Sequence, residues 1–148
     1  MREEQYKIRS KSFDTTFEFI SEGPNGMIKK KVQYQRIDED EELYNLAFGD
    51  VSSNNKNIDD KVVSNNGDRD KVLATVAATL FVFMKEYPNA IVYAKGSNLA
   101  RTRLYQTGIS KYFEGINKQF KVFGELDDDE IEIFQKNKNY LAFYIRNK

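Results

Sequence analysis

The 148-residue sequence contains no cysteine and no histidine. The first absence removes thiol nucleophiles, disulfides, cysteine-ligated zinc and iron–sulfur clusters. The second removes Ser-His-Asp triads, imidazole general bases and histidine-ligated metals. Any catalysis is left to Asp, Glu, Lys, Arg, Tyr, Ser or Thr, and any metal to a hard cation such as Mg²⁺ held by carboxylates. No apolar run reaches the ~18 residues of a membrane span, and the opening "MREEQYKIRS" lacks an apolar signal-type segment. The expectation is a cytoplasmic protein with no membrane partner, which the lack of cysteine fits. Neither sign of charge is in excess, since Lys plus Arg and Asp plus Glu both number 23. A nucleic-acid role must therefore come from a local patch rather than from an overall field.

What is present is aromatic and charged at once. Eleven phenylalanines and nine tyrosines stand in a chain that is 31% charged, so a modest set of large rings must carry much of the core. No internal repeat or low-complexity linker divides the chain, and a single α+β domain over residues 1–148 is the economical reading. From Ser12, Phe13, Thr15, Phe17 and Phe19 alternate with Asp14, Thr16 and Glu18, the pattern of a half-buried strand. The "GPNG" turn at 23–26 joins it to a partner strand marked by Val32 and Tyr34. "DEDEE" at 38–42 reads as a solvated turn, because consecutive carboxylates cannot all face one ion. Tyr44, Leu46 and Phe48 mark a third strand ending at Gly49-Asp50. Residues 51–67, rich in Asn, Ser and Asp, read as one long loop.

A helix is expected over 68–87, opening on capping residues and stopping at Pro88. "AIVYAK" at 90–95 follows as a short buried strand, then a second helix, then the strand-like "QFKVFGEL", "EIEIF" and "NYLAFYIR". The predicted order is three strands, helix, strand, helix and two or three strands, in a mixed, mostly antiparallel sheet with about two helices.

The junction "KGSNLARTRLY" is the stretch that looks built to hold something. A strand that turns through Gly-Ser into a helix presents free N–H groups and the positive end of a helix dipole, which favour an anion. Ser97 or Asn98 is the expected N-cap. Helical spacing puts Tyr105, Ile109, Tyr112, Phe113 and Ile116 on one buried stripe, with Arg101 on it and Arg103 nearly opposite, facing solvent or the rim of a site. Arg101 then leans back over Lys95, Gly96 and Ser97 and needs a partner, either a carboxylate such as Asp50 or Glu18 or a ligand phosphate held in a fork. Gly96 serves equally as a plain tight-turn residue, and no P-loop or dinucleotide fingerprint accompanies it. From Lys85 to Gly124 seven cations face two carboxylates, with Tyr93, Tyr105, Tyr112 and Phe120 interleaved, a composition that suits phosphate contacts and base stacking.

The segment "VYAKGSNLARTRLYQTGISKYFEGI", with "FKVFGEL" and the closing "NYLAFYIRNK", resembles a family of small bacterial proteins of unknown function found largely in Bacteroidota. Members share the Gly-Ser, the Arg-Thr-Arg-Leu-Tyr stretch and an aromatic last strand, and the resemblance covers mainly residues 70–148. It implies a compact α+β domain with attention on Gly96, Ser97, Arg101, Thr102, Arg103 and Tyr105. The element order also resembles the ribonuclease H-like arrangement, whose enzymes gather carboxylates on Mg²⁺. Glu18, Asp50 and Asp70 are the candidates for such a set, while Lys95 stands where a carboxylate would be expected.

The leading functional expectation is a noncatalytic or regulatory domain that binds an anionic ligand, the phosphate of a nucleotide or nucleic acid, at Lys95, Gly96, Ser97, Arg101, Thr102, Arg103 and Tyr105. Neither a metal nor a cofactor is called for. The alternatives are a protein-interaction component of a small two-gene bacterial module, with the aromatic final strand or the Asn-rich loop as its contact, and a Mg²⁺-dependent phosphoester hydrolase; separately, a final strand left exposed would pair edge to edge in a homodimer, and a covered one would not.

Overall fold

The computed structural model describes residues 4–52, 57–59 and 66–148. Among them nine strands form one mixed sheet with three helices on one face. The strands are β1 (Arg9–Lys11), β2 (Thr16–Gly23), β3 (Gly26–Arg36), β4 (Leu43–Val51), β5 (Ile58–Asp59), β6 (Ile91–Ala94), β7 (Phe120–Glu125), β8 (Ile131–Ile133) and β9 (Ala142–Asn147). The helices are α1 (Arg69–Glu86), α2 (Leu99–Lys111) and α3 (Phe113–Gln119). The sheet order is β1-β2-β3-β4-β6-β9-β7-β8, with β5 paired to β4 beside this path. All pairings are antiparallel except β4–β6, the one pair joined by a helical crossover, α1.

The opening meander follows the expected alternation, with Phe17, Phe19, Val32, Tyr34, Tyr44, Leu46 and Phe48 all buried. Its start differs. Ser12, Phe13 and Asp14 have φ of 54°, 59° and 64°, and Phe13 is 89% exposed. The chain reverses here between β1 and β2, an unmarked hairpin because "RSK" carries no apolar residue. The reversal is held by hydrogen bonds from the Tyr87 hydroxyl to the Phe13 carbonyl (2.7 Å) and between Ser10 and Asp14. At 38–42 the Asp38 carboxylate accepts the amides of Asp40 and Glu41, a local turn as read from the sequence. Of the 51–67 stretch, residues 53–56 and 60–65 lie outside the described residues; within the rest the long-loop reading is corrected at Val51, which ends β4, and at β5, which pairs with β4 beside a 2.8 Å hydrogen bond from the Ser52 amide to the Asn57 carbonyl. Asn66 is buried and pins the β2–β3 turn, accepting the Asn25 amide and donating to the Gly26 carbonyl and the Ser21 hydroxyl.

α1 packs Leu73, Ala74, Ala77, Leu80, Phe83 and Met84 against the meander. Asp68 precedes it but does not cap it. Its carboxylate accepts the hydroxyls of Tyr6 and Ser21, both at 2.5 Å, which fastens the amino-terminal segment to the helix start. Thr75 and Thr79 are fully buried and satisfied, Thr75 accepting the Tyr6 amide and Thr79 sharing a 2.9 Å hydrogen bond with the Tyr34 hydroxyl.

The second expected helix is two. α2 ends where Tyr112 leaves helical geometry (φ −106°, ψ 19°), and α3 continues after it. The buried Tyr112 ring is anchored by its hydroxyl to the Asp70 carbonyl at 3.0 Å, and the bend keeps Ile116 in the core. The sheet order does not confirm a ribonuclease H-like topology, for the α1 crossover delivers β6 beside β4 and the last strand is inserted between β6 and β7. Both edges of β9 are therefore paired, and the ends of the sheet are β1 and β8. Among the described residues no helix is long and apolar enough to cross a membrane.

Candidate functional site

At the junction after β6, Asn98 is the N-cap, its side chain accepting the Arg101 amide at 2.9 Å. The Gly96 amide is engaged inside the turn, donating to the buried Thr102 hydroxyl at 3.0 Å, while that hydroxyl reaches the Asn98 carbonyl at 3.2 Å. Gly96 is required by proximity, because a Cβ there would lie 2.4 Å from both the Arg101 Cβ and the Thr102 amide nitrogen. Arg101 leans back toward the strand ends as its place on α2 dictates, donating to the Phe48 carbonyl with its guanidinium 5.7 Å from the Phe48 ring.

The remaining predicted site residues divide between core, tether and surface. Tyr105 is buried in the core. Arg103 is half-buried rather than fully exposed. It donates to the Tyr140 carbonyl at 2.8 Å and to Gln106 at 3.2 Å, and the buried Gln106 carboxamide reaches the Lys138 carbonyl at 2.7 Å. This tethers α2 to the segment before β9. Lys95 and Ser97 are exposed.

The carboxylates proposed for a metal are not brought together. Glu18 pairs with Lys11 and Lys29, Asp50 with Lys30 at 2.5 Å, and Asp70 with Lys111 at 2.8 Å. Among the described residues no three acidic groups are placed to share an ion.

A second region emerges only from the strand register. The helices cover the face that carries Val92, Phe143, Ile145 and Val122, and the pleat turns the alternate residues to the other face. There, successive Cα partners form a row across six strands: Gln35, Asn45, Tyr93, Tyr144, Phe123 and Ile133. The row beside it holds Leu43, Ile91, Arg146 and Lys121. Tyr93, Tyr144 and Phe123 are only half-buried although they sit on strands β6, β9 and β7 in the interior of the sheet. The Tyr93 and Tyr144 rings are 4.9 Å apart at 52°, and the Arg146 guanidinium lies 5.7 Å from the Phe123 ring. Lys95 is exposed and directly follows Ala94, the last residue of β6.

The face has a defined electrostatic character. The Tyr144 hydroxyl donates to Glu125 at 3.2 Å, and burial followed by the Glu125 charge pushes its pKa up to about 12. Tyr93 is raised for the same two reasons. Both rings thus stay neutral at physiological pH, with the cations Arg146 and Lys121 on the same face and the carboxylates of Glu125 and Asp129 acting on Tyr144. Of the aromatics singled out from the sequence, Tyr93 belongs to this face, whereas Tyr105, Tyr112 and Phe120 are core residues. Tyr144 and Phe123 were missed. The signal for them lay in the odd member of "AFYI" and "VFG", legible only once Phe143, Ile145 and Val122 are known to point inward.

No curated protein and no solved structure matches the chain. A family model does match, over residues 2–148, and the chain accordingly belongs to the family of unknown function DUF6934.

Proposed function

We propose that this protein is a noncatalytic binding domain for single-stranded nucleic acid, which it holds across the open face of the sheet. The observation that carries this reading is the row Tyr93, Tyr144 and Phe123 on neighbouring strands, on a sheet face that no described element covers, with Arg146 against one ring and Lys121 at its margin. Every base has a π-face, so adjacent rings on a flat sheet accept successive bases irrespective of sequence, and the flanking cations take the phosphates. The anionic ligand expected from the sequence is on this reading a phosphate backbone, met by Lys95 rather than enclosed by the Gly96 amide, which Thr102 already holds. A contact with a protein partner is the second reading, favoured by Ile131 and Ile133, 53% and 66% exposed on the edge strand that extends the same face.

Fluorescence anisotropy with labelled RNA and DNA oligomers, at low and moderate salt, separates the two. Binding that weakens as salt rises, and is lost in the Tyr93→Ala/Tyr144→Ala variant while its melting curve remains cooperative, supports the nucleic-acid platform. Oligomers that ignore the wild-type protein, or bind the double variant equally well, overturn it. A self-association detected by sedimentation and removed by Ile133→Lys then assigns the face to a protein contact.

A further inference from the structure

We infer that the open face carries a second binding element, a cationic track on β1, β2 and β3 that takes the phosphates of the strand once it has left the aromatic rings. This deepens the platform reading above and rests on it. Arg9, Glu18, Lys31 and Gly49 are successive Cα partners from β1 to β4, and Lys11, Thr16, Gln33 and Ala47 form the row beside them. The second of these rows adjoins Gln35 and Asn45, the end of the row that holds Tyr93. The pleat turns all of these side chains away from the core, whose members on the same strands are Phe17, Val32 and Phe48. Ion pairs agree with that side, for Lys11 at 2.9 Å and Lys29 at 3.5 Å both reach the Glu18 carboxylate. Four cations, Arg9, Lys11, Lys29 and Lys31, thus share this part of the face with two carboxylates, Glu18 and Glu22.

Glu18 is buried beneath its lysines, whereas Arg9, Lys11 and Lys29 are exposed and Lys31 is half-buried, so the surface offered to a ligand is positive. A polyanion is what such a surface takes. Between the rings and the cations the outward positions of β4 are Ala47 and Gly49, which raise no bulky side chain in the path of a sugar–phosphate chain. The three rings span two strand spacings, about 10 Å, and receive about three bases. Lys31 lies four residues along β3 from Gln35, which shares the row of the rings, so the cations begin about 13 Å along the strands from that row. Six strand spacings, about 29 Å, separate β7 from β1. A trinucleotide therefore fills the platform without reaching the track, while a strand of about ten nucleotides, at about 3.4 Å per residue, occupies both.

The test measures anisotropy of a labelled uridine trimer and decamer over a salt series, with melting curves as a check on folding. Wild type should bind the decamer more tightly than the trimer, and its log affinity for the decamer should fall more steeply with log salt concentration. Arg9→Gln/Lys31→Gln should make the decamer slope shallower by about 1.4, two phosphate contacts at about 0.7 each, and the charge-preserving Arg9→Lys/Lys31→Arg should keep the wild-type slope. Lys118→Gln removes an exposed cation from α3, on the covered side of the sheet, and should leave that slope unchanged. Equal slopes for trimer and decamer in wild type, or a folded Arg9→Gln/Lys31→Gln protein that retains the wild-type decamer slope, overturn the track and leave the platform standing. Failure of both oligomers to bind folded wild type overturns the platform and the track together.

Discussion

The two faces of this sheet are built from the same residue types and use them in opposite ways. On the covered face Tyr34 stacks on Phe83 at 4.2 Å, Phe17 meets Tyr34 edge-on, and the Tyr34 hydroxyl is satisfied by Thr79. On the open face Tyr93 and Tyr144 touch only at a tilted angle, and the surrounding positions are Arg146, Lys121, Asn45 and Gln35. A tyrosine in the first setting supplies cohesion. In the second it supplies area that remains available. What separates them is the identity of the neighbours set by register, and it teaches that aromatic content alone does not distinguish a core from a platform.

The sharpest way to separate the faces is to truncate one ring from each. Phe83→Ala should lower stability by about 3–5 kcal/mol, because a fully buried ring in contact with Tyr34, Tyr44 and Tyr87 leaves a cavity that the sheet cannot fill. Urea unfolding reads this directly, and a loss under about 1 kcal/mol would mean that the covered face is not the packed core described. Gly96→Ala comes next. The added methyl meets the Arg101 Cβ and backbone of Thr102, which have no flexible end to withdraw, so a loss of roughly 1–3 kcal/mol is expected. If the folded fraction of that variant still binds oligomers like wild type, the junction acts as a structural hinge point and not as the site. Third, Tyr93→Ala/Tyr144→Ala should reduce oligomer affinity by about 1–3 kcal/mol per stacked base, with a smaller effect on stability than Phe83→Ala. The reverse ranking would show that the open face is a core waiting for a protein cover.

Much of the covered face was legible in the sequence because a strand that buries one side announces it by alternation. Phe17 and Phe19, Val32 and Tyr34, and Tyr44 and Phe48 all landed inside as read. Phe13 broke the pattern because a left-handed turn at Ser12–Asp14 is invisible to alternation, which assumes an extended backbone. The buried stripe Tyr105, Ile109, Tyr112 and Ile116 was also legible, but not the bend at Tyr112, which is a tertiary demand made by the Asp70 carbonyl. The candidate site was legible only in part. Lys95 and Tyr93 came from one local stretch, whereas Tyr144, Phe123 and Asn45 join them through pairings over long sequence separations. In β9 both sides carry aromatic or aliphatic residues, and Arg146 is the single charged residue that marks the Tyr144 side as the outer one. Arg103 misled for a related reason, since its apparent solvent face is covered by the Tyr140 segment that arrives 37 residues later.

The smallest expected effect compares a hydroxyl on each face through pH. In the native protein burial and the Glu125 carboxylate raise Tyr144 from 10.0 to about 12, and burial raises Tyr34 as well. Both folded-state values exceed the unfolded one, so the unfolded chain releases these protons first as pH rises. The stability tied to the neutral phenol is fully present below about pH 10 and is lost progressively as pH climbs toward the folded-state value. Tyr144→Phe removes the titrating proton and should flatten the fall in urea midpoint between pH 10 and 12, and adding Glu125→Gln should flatten it no further. Tyr34→Phe should flatten the fall too, but at the expense of stability at neutral pH, where the buried Thr79 hydroxyl keeps its hydrogen bond to the Val76 carbonyl and loses the one it shares with Tyr34. A Tyr144→Phe protein that loses as much neutral-pH stability as Tyr34→Phe would mean that the outer hydroxyl is as structural as the inner one, and that the two faces differ less in role than their exposure indicates.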